Sequence, residues 1–265
     1  MIYDAKVIEN KKIAEEIYWM KLDAGKKFKA EPGQFINIRV ADSFQPLLRR
    51  PFSIFYAEKG KVEIVYKVIG KGTAILANKK KGDKVNFIGP LGKSYLEFGI
   101  LNLESGKKIQ SKIQNPKPRI ILVGGGTGIA SLHFLARELK KRNIKFELIQ
   151  GAKNKQCVIM PNELKQIGCI FATDDGSFGK KGFVSDALKG MLEGNIIIYT
   201  CGPKQMFKAI KKVTEHKKNV KVLASFEEYM GCGIGACLSC VVEIDGEYIR
   251  VCKEGPVFDM DNIKL

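Results

Sequence analysis

Four cysteines toward the C-terminus, Cys232, Cys237, Cys240 and Cys252, are spaced C-x4-C-x2-C-x11-C. A C-x4-C-x2-C run completed by a later cysteine is the plant-type arrangement of four thiolates around a 2Fe-2S cluster, so the chemistry it points to is one-electron transfer. Gly231-Cys232-Gly233-Ile234-Gly235-Ala236-Cys237 must wrap backbone around a sulfide-bridged iron pair, and its glycines permit turns that a Cβ would obstruct. Val241, Val242, Ile244, Tyr248, Ile249 and Val251 flank Asp245-Gly246, a dipeptide favoured in tight type I′ turns. A hairpin is therefore expected to bring Cys252 back on its returning strand. The rival metal is structural zinc, which takes paired C-x2-C hooks; here only Cys237 and Cys240 form one. The remaining cysteines, Cys157, Cys169 and Cys201, are scattered and odd in number, which suits a reducing cytosol better than a disulfide framework.

A second constellation suits a nucleotide. Ile120-Ile121-Leu122-Val123 runs as a strand into Gly124-Gly125-Gly126-Thr127-Gly128, and Leu132, Leu135, Ala136 and Leu139 then recur at helical spacing. Backbone N–H groups at such a helix start can meet a pyrophosphate where glycines keep side chains out of the way. The usual G-x-G-x-x-G pattern is not met, because Ile129 stands at the last glycine position. No acidic residue closes the second strand, where Phe146-Glu147-Leu148-Ile149-Gln150 leads into Gly151-Ala152-Lys153. A plain structural turn is the alternative. Ile196-Ile197-Ile198-Tyr199-Thr200 is a buried-type strand ending in Cys201-Gly202-Pro203, and Met206, Ala209, Ile210 and Val213 mark the helix after it. Ligands of open α/β sheets bind outside the carboxyl ends of strands, so Cys201 and Gly202 could approach a nicotinamide, or Cys201 could simply be buried. Lys153 and Lys155 could attract a 2′-phosphate or remain solvated.

A third group suits a flavin. Arg50-Pro51-Phe52-Ser53 puts a guanidinium, an aromatic ring and a hydroxyl at the head of a strand. Arginine offers forked donors to a pyrophosphate, Ser53 is short enough to bond a flavin edge, and Phe52 could cover a ring or merely pack. Arg49 competes for the same role. Val65-Tyr66-Lys67 adds an aromatic and a cation, and Gly70-Lys71-Gly72-Thr73 supplies amide donors before a helical stretch at 74–78. Thr173-Asp174-Asp175-Gly176-Ser177 reads as a turn after a strand.

These groups must be positioned by at least two domains, as 265 residues imply on a prior of roughly 150 residues per domain, with a small third module at the end. Residues 1–98 read as short strands at 2–8, 17–22, 34–40, 52–56, 61–68 and 84–88, the pattern of a small antiparallel barrel. The polar stretch 99–118 reads as a linker or long loop. From 119 to 223 apolar strands alternate with helical patterns, as in an open parallel sheet, and 224–265 holds the cysteines. The fold class expected is thus multi-domain β plus α/β. The N-terminal residues show no signal-like apolar region and no apolar run nears the ~18 residues of a membrane span, so the expectation is a soluble, cytoplasmic chain without a membrane partner. Formal charge is +17, from 45 basic and 28 acidic residues, yet Lys79-Lys80-Lys81 and Lys140-Lys141-Arg142 sit beside turns without an arginine-and-aromatic platform. That favours a solvated surface over a nucleic-acid partner.

Taken together, the motifs resemble ferredoxin-NADP reductase-like flavoproteins across nearly the whole chain, and within them the electron-transfer subunits of NAD-dependent dihydroorotate dehydrogenases. The likeness is densest in Met230-Gly231-Cys232-Gly233-Ile234-Gly235-Ala236-Cys237-Leu238-Ser239-Cys240, in Val251-Cys252-Lys253-Glu254-Gly255-Pro256-Val257-Phe258, and in Ala172-Thr173-Asp174-Asp175-Gly176-Ser177-Phe178-Gly179. Arg50, Phe52 and Ser53 fall on the R-x-[YF]-[ST] flavin motif, Gly72 and Thr73 on a second flavin motif, and Gly125, Gly126, Thr127 and Gly128 with Cys201-Gly202-Pro203 on the nicotinamide motifs. Phe52 lacks the hydroxyl of the commoner tyrosine, Ser131 stands where many relatives carry proline, and 99–118 is longer than usual.

The resemblance implies a flavin-binding barrel, a nucleotide-binding sheet and a 2Fe-2S module. It implies FAD and a 2Fe-2S cluster as cofactors, and NAD as co-substrate. The partner implied is an FMN-containing dihydroorotate dehydrogenase catalytic subunit, two chains of each kind, feeding electrons through cluster and FAD to NAD+ in pyrimidine biosynthesis. Acid–base chemistry belongs to that partner, so no catalytic residue is expected here and His133 and His216 need no such role. Two other readings compete: a reductase subunit of a sulfite reductase, hydrogenase or ferredoxin-linked transhydrogenase, and a zinc-stabilised interaction module whose nucleotide motifs are only turns.

Overall fold

The structure, a computed structural model, describes residues 1–98 and 118–264. The expected linker at 99–118 therefore lies, Pro118 apart, outside the described residues.

Six strands, β1 (Ile2–Ala14), β2 (Ile17–Asp23), β3 (Phe35–Arg39), β4 (Arg50–Glu58), β5 (Lys61–Lys67) and β6 (Lys84–Leu91), close in the order β1-β2-β5-β4-β3-β6, each pair antiparallel. Closure leaves no unpaired edge, and the barrel is filled by Met20, Leu22, Ile36, Ile38, Ile54, Ile64 and Phe87, all without exposed surface. The six expected strands all fall on these elements. A short helix, α1 (Lys71–Ala77), follows β5.

The second layer is a sheet of β7 (Arg119–Gly125), β8 (Glu147–Ala152), β9 (Cys169–Thr173), β10 (Lys180–Lys181), β11 (Ile196–Cys201) and β12 (Val220–Ser225), all parallel, in the order β10-β9-β8-β7-β11-β12. Its central strands read as unbroken apolar runs because helices cover them, among them α2 (Ile129–Lys141), α3 (Pro161–Lys165), α4 (Val184–Lys189) and α5 (Lys204–Thr214). Helix α2 is buried from Ile129 through Ala136 without a solvent face, since it lies between β7 and β11 of the sheet and β4 of the barrel. Beside it, the hydroxyls of Tyr95, from the turn after β6, and Ser131 are hydrogen-bonded at 3.0 Å. No helix among the described residues is long and apolar enough to cross a membrane.

After β12 the chain forms a hairpin of β13 (Val241–Ile244) and β14 (Glu247–Arg250), then returns as β15 (Val257–Asp259), which pairs antiparallel with β12 as the last strand of the parallel sheet. Asp245 and Gly246 have φ of 51° and 82°, the two positive values a type I′ turn requires. Cys252 is not on the returning strand as expected. Strand β14 ends at Arg250, whose carbonyl accepts the N–H groups of Lys253, Glu254 and Gly255, coiling residues 251–254 into a turn that carries the thiol inward.

Leu223 is fully buried on β12, between β11 and β15. Leu223→Ala is expected to cost about 2–5 kcal/mol of stability through the cavity it leaves, read as a lowered urea midpoint at unchanged m-value.

Candidate redox site

Of the four expected sulfur ligands, Cys232, Cys237 and Cys240 lie on the loop between β12 and β13, and Cys252 on the turn after β14. Cys232 is half-buried, Cys237 exposed, and Cys240 and Cys252 buried. Cys232 lies near enough to Cys237, and Cys240 near enough to Cys252, to shift the second thiol of each pair. The Ser239 hydroxyl, its backbone and Cys232 bring the Cys237 thiol down to about 6, whereas burial, and then Cys240, pushes Cys252 up to about 12. Among the described residues no three His, Cys, Asp or Glu side chains gather as for a single metal ion. Two thiolates on each of two irons is the demand of a 2Fe-2S cluster, which this pairing fits.

Backbone N–H groups already point at these sulfurs. Ile234 and Ala236 donate to Cys232 Sγ at 3.4 and 3.3 Å, and Cys252 N–H donates to Cys240 Sγ at 3.4 Å. Two of the glycines have positive φ, 75° at Gly233 and 84° at Gly235, and a Cβ there would press to 2.5 Å from Asn37 Nδ2 and 2.6 Å from Lys253 Cδ. The loop is clasped by Arg250, which donates to the Gly235 carbonyl at 2.8 Å and to Glu254 Oε2 at 3.0 Å, and by Asn37 of β3, which donates to the Cys232 carbonyl at 3.1 Å. Its bond to Arg250 holds the Glu254 carboxyl below the usual range.

Beside the loop opens a cavity of about 1110 Å³, lined by Arg50, Pro51, Phe52, Ser53, Val65, Tyr66, Lys67, Gly72 and Thr73, the whole set expected for a flavin. Arg49 and Arg50 both line it; Arg50 lies at the start of α1, where a Cβ on Gly72 would stand 3.0 Å from its Nε, and its Nη1 donates to the Leu48 carbonyl. Arg49 is committed elsewhere, bonding Asn86 Oδ1 at 2.6 Å and the carbonyls of Asn37 and Asn86 at 3.3 Å. Phe52 meets the Tyr66 ring edge-on at 5.6 Å, and the Tyr66 hydroxyl donates to Asn10 Oδ1 at 3.0 Å, with burial raising its pKa. The Thr73 hydroxyl accepts the N–H groups of Ile69 and Gly70 at 3.0 and 3.2 Å, which shapes the turn before α1. Lys67 pairs with Glu16 at 3.4 Å. Volume, aromatic wall and a cavity-facing guanidinium fit a dinucleotide flavin.

Of the residues expected at the nicotinamide turn, Thr127 lines this cavity and Gly125, Gly126, Gly128, Cys201 and Gly202 do not. Gly126, at φ 54°, faces open space. The others are held by packing: a Cβ on Gly128 would lie 2.3 Å from the Cys201 carbonyl oxygen, one on Gly125 2.7 Å from Met206 Sδ, and one on Gly202 2.5 Å from Met206 Cε. Cys201 is fully buried, with burial first and Glu227 second pushing its thiol to about 12.

The sequence did not reveal the wall formed by Ser225, Phe226, Glu227, Glu228, Tyr229, Met230 and Gly231, nor Lys204 and Ser239. Their signal was positional: they follow the carboxyl end of β12, where ligands of parallel sheets bind. Glu227 opens to the cavity yet is crowded by protein on its other sides, and that crowding raises its pKa. Glu228 pairs with Lys204 at 2.7 Å. Ser239 joins the two halves, since it lines the cavity and its Oγ lies 3.2 Å from Cys237 Sγ.

Three family descriptions match in chain order: an oxidoreductase FAD-binding domain over residues 4–95, an oxidoreductase NAD-binding domain over 122–212, and the iron-sulfur cluster binding domain of dihydroorotate dehydrogenase B over 227–264. Two curated relatives are named dihydroorotate dehydrogenase B (NAD(+)), electron transfer subunit. That of Bacillus velezensis is 38% identical over 98% of this chain and 97% of its own. That of Fusobacterium nucleatum is 37% identical over 100% and 99%. Among solved structures, a chain of the NADH-dependent reduced ferredoxin-NADP oxidoreductase is 30% identical and superposes with a TM-score of 0.80 over 98% of this chain and 89% of that one. Phthalate dioxygenase reductase, at 17% identity and a TM-score of 0.65 over 92% and 86%, shares the fold.

Gly128→Ala must part the 124–128 turn from the Cys201 backbone. It is expected to cost about 1–3 kcal/mol in thermal unfolding. The KM for the nicotinamide nucleotide should rise in flavin-reduction assays.

Proposed function

The chain belongs to the family of electron-transfer subunits of NAD+-dependent dihydroorotate dehydrogenase B, and we propose that its thiolate loop and flavin cavity carry electrons from the FMN of a catalytic subunit to NAD+. A bound flavin exchanges electron pairs with nicotinamide and single electrons with an iron-sulfur centre, which supplies the conversion this task needs. The observation that carries the reading is Ser239, a wall residue of the cavity in contact with a cluster sulfur.

Each residue then has a part. Arg50, with the amides around Gly72 and Thr73, holds the flavin pyrophosphate. Ser53, Val65, Tyr66 and Phe52 bed the ring system, and the Pro51 ring starts the strand that presents them. Thr127 and the 124–128 turn receive the nicotinamide nucleotide, whose ring would lie toward the Ser225 and Glu227 side of the cavity. Cys201 and Gly202 support that turn from behind. Cys232, Cys237, Cys240 and Cys252 bind the cluster. None of these groups needs to remove a proton from dihydroorotate, so the acid–base step falls to the catalytic subunit.

Leu238 and Ile234 on the thiolate loop are 61% and 53% exposed, and Tyr229 is 94% exposed. Apolar surface of this kind beside a redox centre supports docking of the catalytic subunit over the loop. The same reading assigns two chains of each kind and a cytoplasmic setting, to which seven cysteines without a disulfide are suited.

Anaerobically purified protein is expected to show flavin and iron-sulfur absorption that dithionite bleaches; a colourless zinc protein would refute the assignment. Arg50→Ala should weaken FAD binding about tenfold or more, the loss of a charge-assisted hydrogen bond, measured by fluorescence titration. Cys237→Ser should lower iron content and abolish dihydroorotate-to-NAD+ transfer in the complex while leaving flavin reduction by NADH intact. Retention of the transfer would remove Cys237 from the ligand set.

A further inference from the structure

One hydroxyl from the barrel side crosses into the nucleotide-binding layer. Tyr95, on the turn after β6, is 1% exposed, and its backbone is anchored on the barrel: its N–H donates to the Pro32 carbonyl at 2.9 Å, which also accepts the Ser94 hydroxyl at 3.0 Å. The Tyr95 ring lies tight over the same peptide, since a Cβ on Gly33 would stand 2.9 Å from its Cδ2. Two residues beyond Gly33, Phe35 pairs with Ser53 on β4, the strand that carries the flavin residues. The far end of the ring reaches the other layer. It meets Tyr199 of β11 edge-on at 5.5 Å, and its hydroxyl oxygen stands 3.0 Å from Ser131 Oγ on α2.

The donors and acceptors along this contact have one order. The Ser131 hydroxyl bonds the Gly128 carbonyl at 3.2 Å, and a carbonyl can only accept, so the single Ser131 proton is used there. Tyr95 is therefore the donor to Ser131. Burial holds the phenol well above its ordinary range, so it keeps the proton it donates. The result is a directed chain from Tyr95 through Ser131 to Gly128, all three buried. Gly128 is pressed from its other side, where a Cβ would lie 2.3 Å from the Cys201 carbonyl oxygen. Ser225, in the cavity wall, and the Cys201 thiol border the same hydroxyls.

We propose that Tyr95 is a positioning residue for flavin reduction: by bonding Ser131 it ties the Gly128 end of the 124–128 turn to the barrel backbone beside the flavin strand, and so sets the distance and angle at which nicotinamide meets flavin. In that step NADH passes a hydride, two electrons with one proton, to the oxidised flavin, leaving NAD+ and the reduced flavin anion. Such a transfer is steep in geometry, and a misplacement of about 1 Å can cost on the order of a hundredfold. Tyr95 does not line the cavity and acts only through Ser131. The role rests on the proposed placing of the flavin in the cavity and of the nucleotide at the turn.

Anaerobic stopped-flow reduction of the cofactor-loaded protein by NADH tests it with Tyr95→Phe, which keeps the ring and its packing on Tyr199 and removes only the hydroxyl. The limiting rate of flavin reduction should fall about tenfold, the scale of one buried hydrogen bond, while the Kd for NADH changes less than about twofold. The long-wavelength charge-transfer absorbance of the nucleotide-bound flavin should weaken as the two rings lose their overlap. Ser131→Ala should reproduce both losses, and Tyr95→Phe should add nothing in the Ser131→Ala background, because the two side chains act through one bond. A wild-type rate and charge-transfer band in Tyr95→Phe overturn the proposal, even where the melting temperature falls, since the bond would then be structural alone. A further full loss in the double variant overturns it as well. If NADH does not reduce the flavin of the wild type, the proposed function itself fails; if it does and Tyr95→Phe matches it, only the positioning role fails.

Discussion

A three-residue ladder between β12 and β15 governs where the cysteine-bearing segment lies. The chain leaves the parallel sheet at Ser225, forms the thiolate loop and hairpin, and returns with Val257 opposite Ser225, Phe258 opposite Ala224 and Asp259 opposite Leu223. The Phe226 N–H bonds the Pro256 carbonyl at 2.9 Å and extends the closure by one step. Both ends of the loop are thus fixed to one strand terminus, at the carboxyl edge where parallel sheets gather ligands. A two-stranded hairpin is marginal alone. Here Phe226 packs against Phe207 of α5 and Phe258 of β15, so both ends of the segment that carries the hairpin are anchored on the main sheet.

Hydrogen bonding separates the two arginines of the flavin cavity in a way the sequence left open. Arg49 and Arg50 are neighbours, and both line the cavity. The Arg49 guanidinium is held by Asn86 and two backbone carbonyls, with burial lowering its pKa, whereas Arg50 bonds the Leu48 carbonyl and lies beside Gly72 at the start of α1. Deciding which was which required knowing that β3 and β6 flank that position, a register no local pattern encodes.

The barrel strands, the alternation of strands and helices after 119, the type I′ hairpin and the cluster-binding segment at the C-terminus were legible, because period, turn chemistry and cysteine spacing are local properties. Cys252 and the nicotinamide turn were legible only in part. Glycine spacing suggested room for a phosphate, yet Gly125, Gly128 and Gly202 are also demanded by contact with a turn far away in the chain, and only Gly126 stands in open space. The cavity wall at 225–231 carries no motif, since it owes its place to the β12–β15 ladder. The two partners of His133, the Phe55 carbonyl and Glu163, were not legible either, because only the packing of α2 across β4 and against α3 brings them together.

Ser239 is where the two redox compartments touch, and its hydrogen bonds give the contact a direction. The Gly231 N–H donates to its Oγ at 2.8 Å, occupying one acceptor position and leaving the hydroxyl proton for either Cys237 Sγ at 3.2 Å or the Tyr229 carbonyl at 3.4 Å. A thiolate is the stronger acceptor because it carries charge, so an ionised Cys237 would draw the hydroxyl proton toward sulfur. Hydrogen bonds to cluster sulfurs and solvent exposure both set the potential of such a centre. The exposed Cys237 thus depends on a side chain in the flavin wall, whereas the buried Cys240 receives its N–H from Cys252 within the loop. The two halves of the site are bonded by different parts of the protein, and the Cys237 half borders the cavity through Ser239.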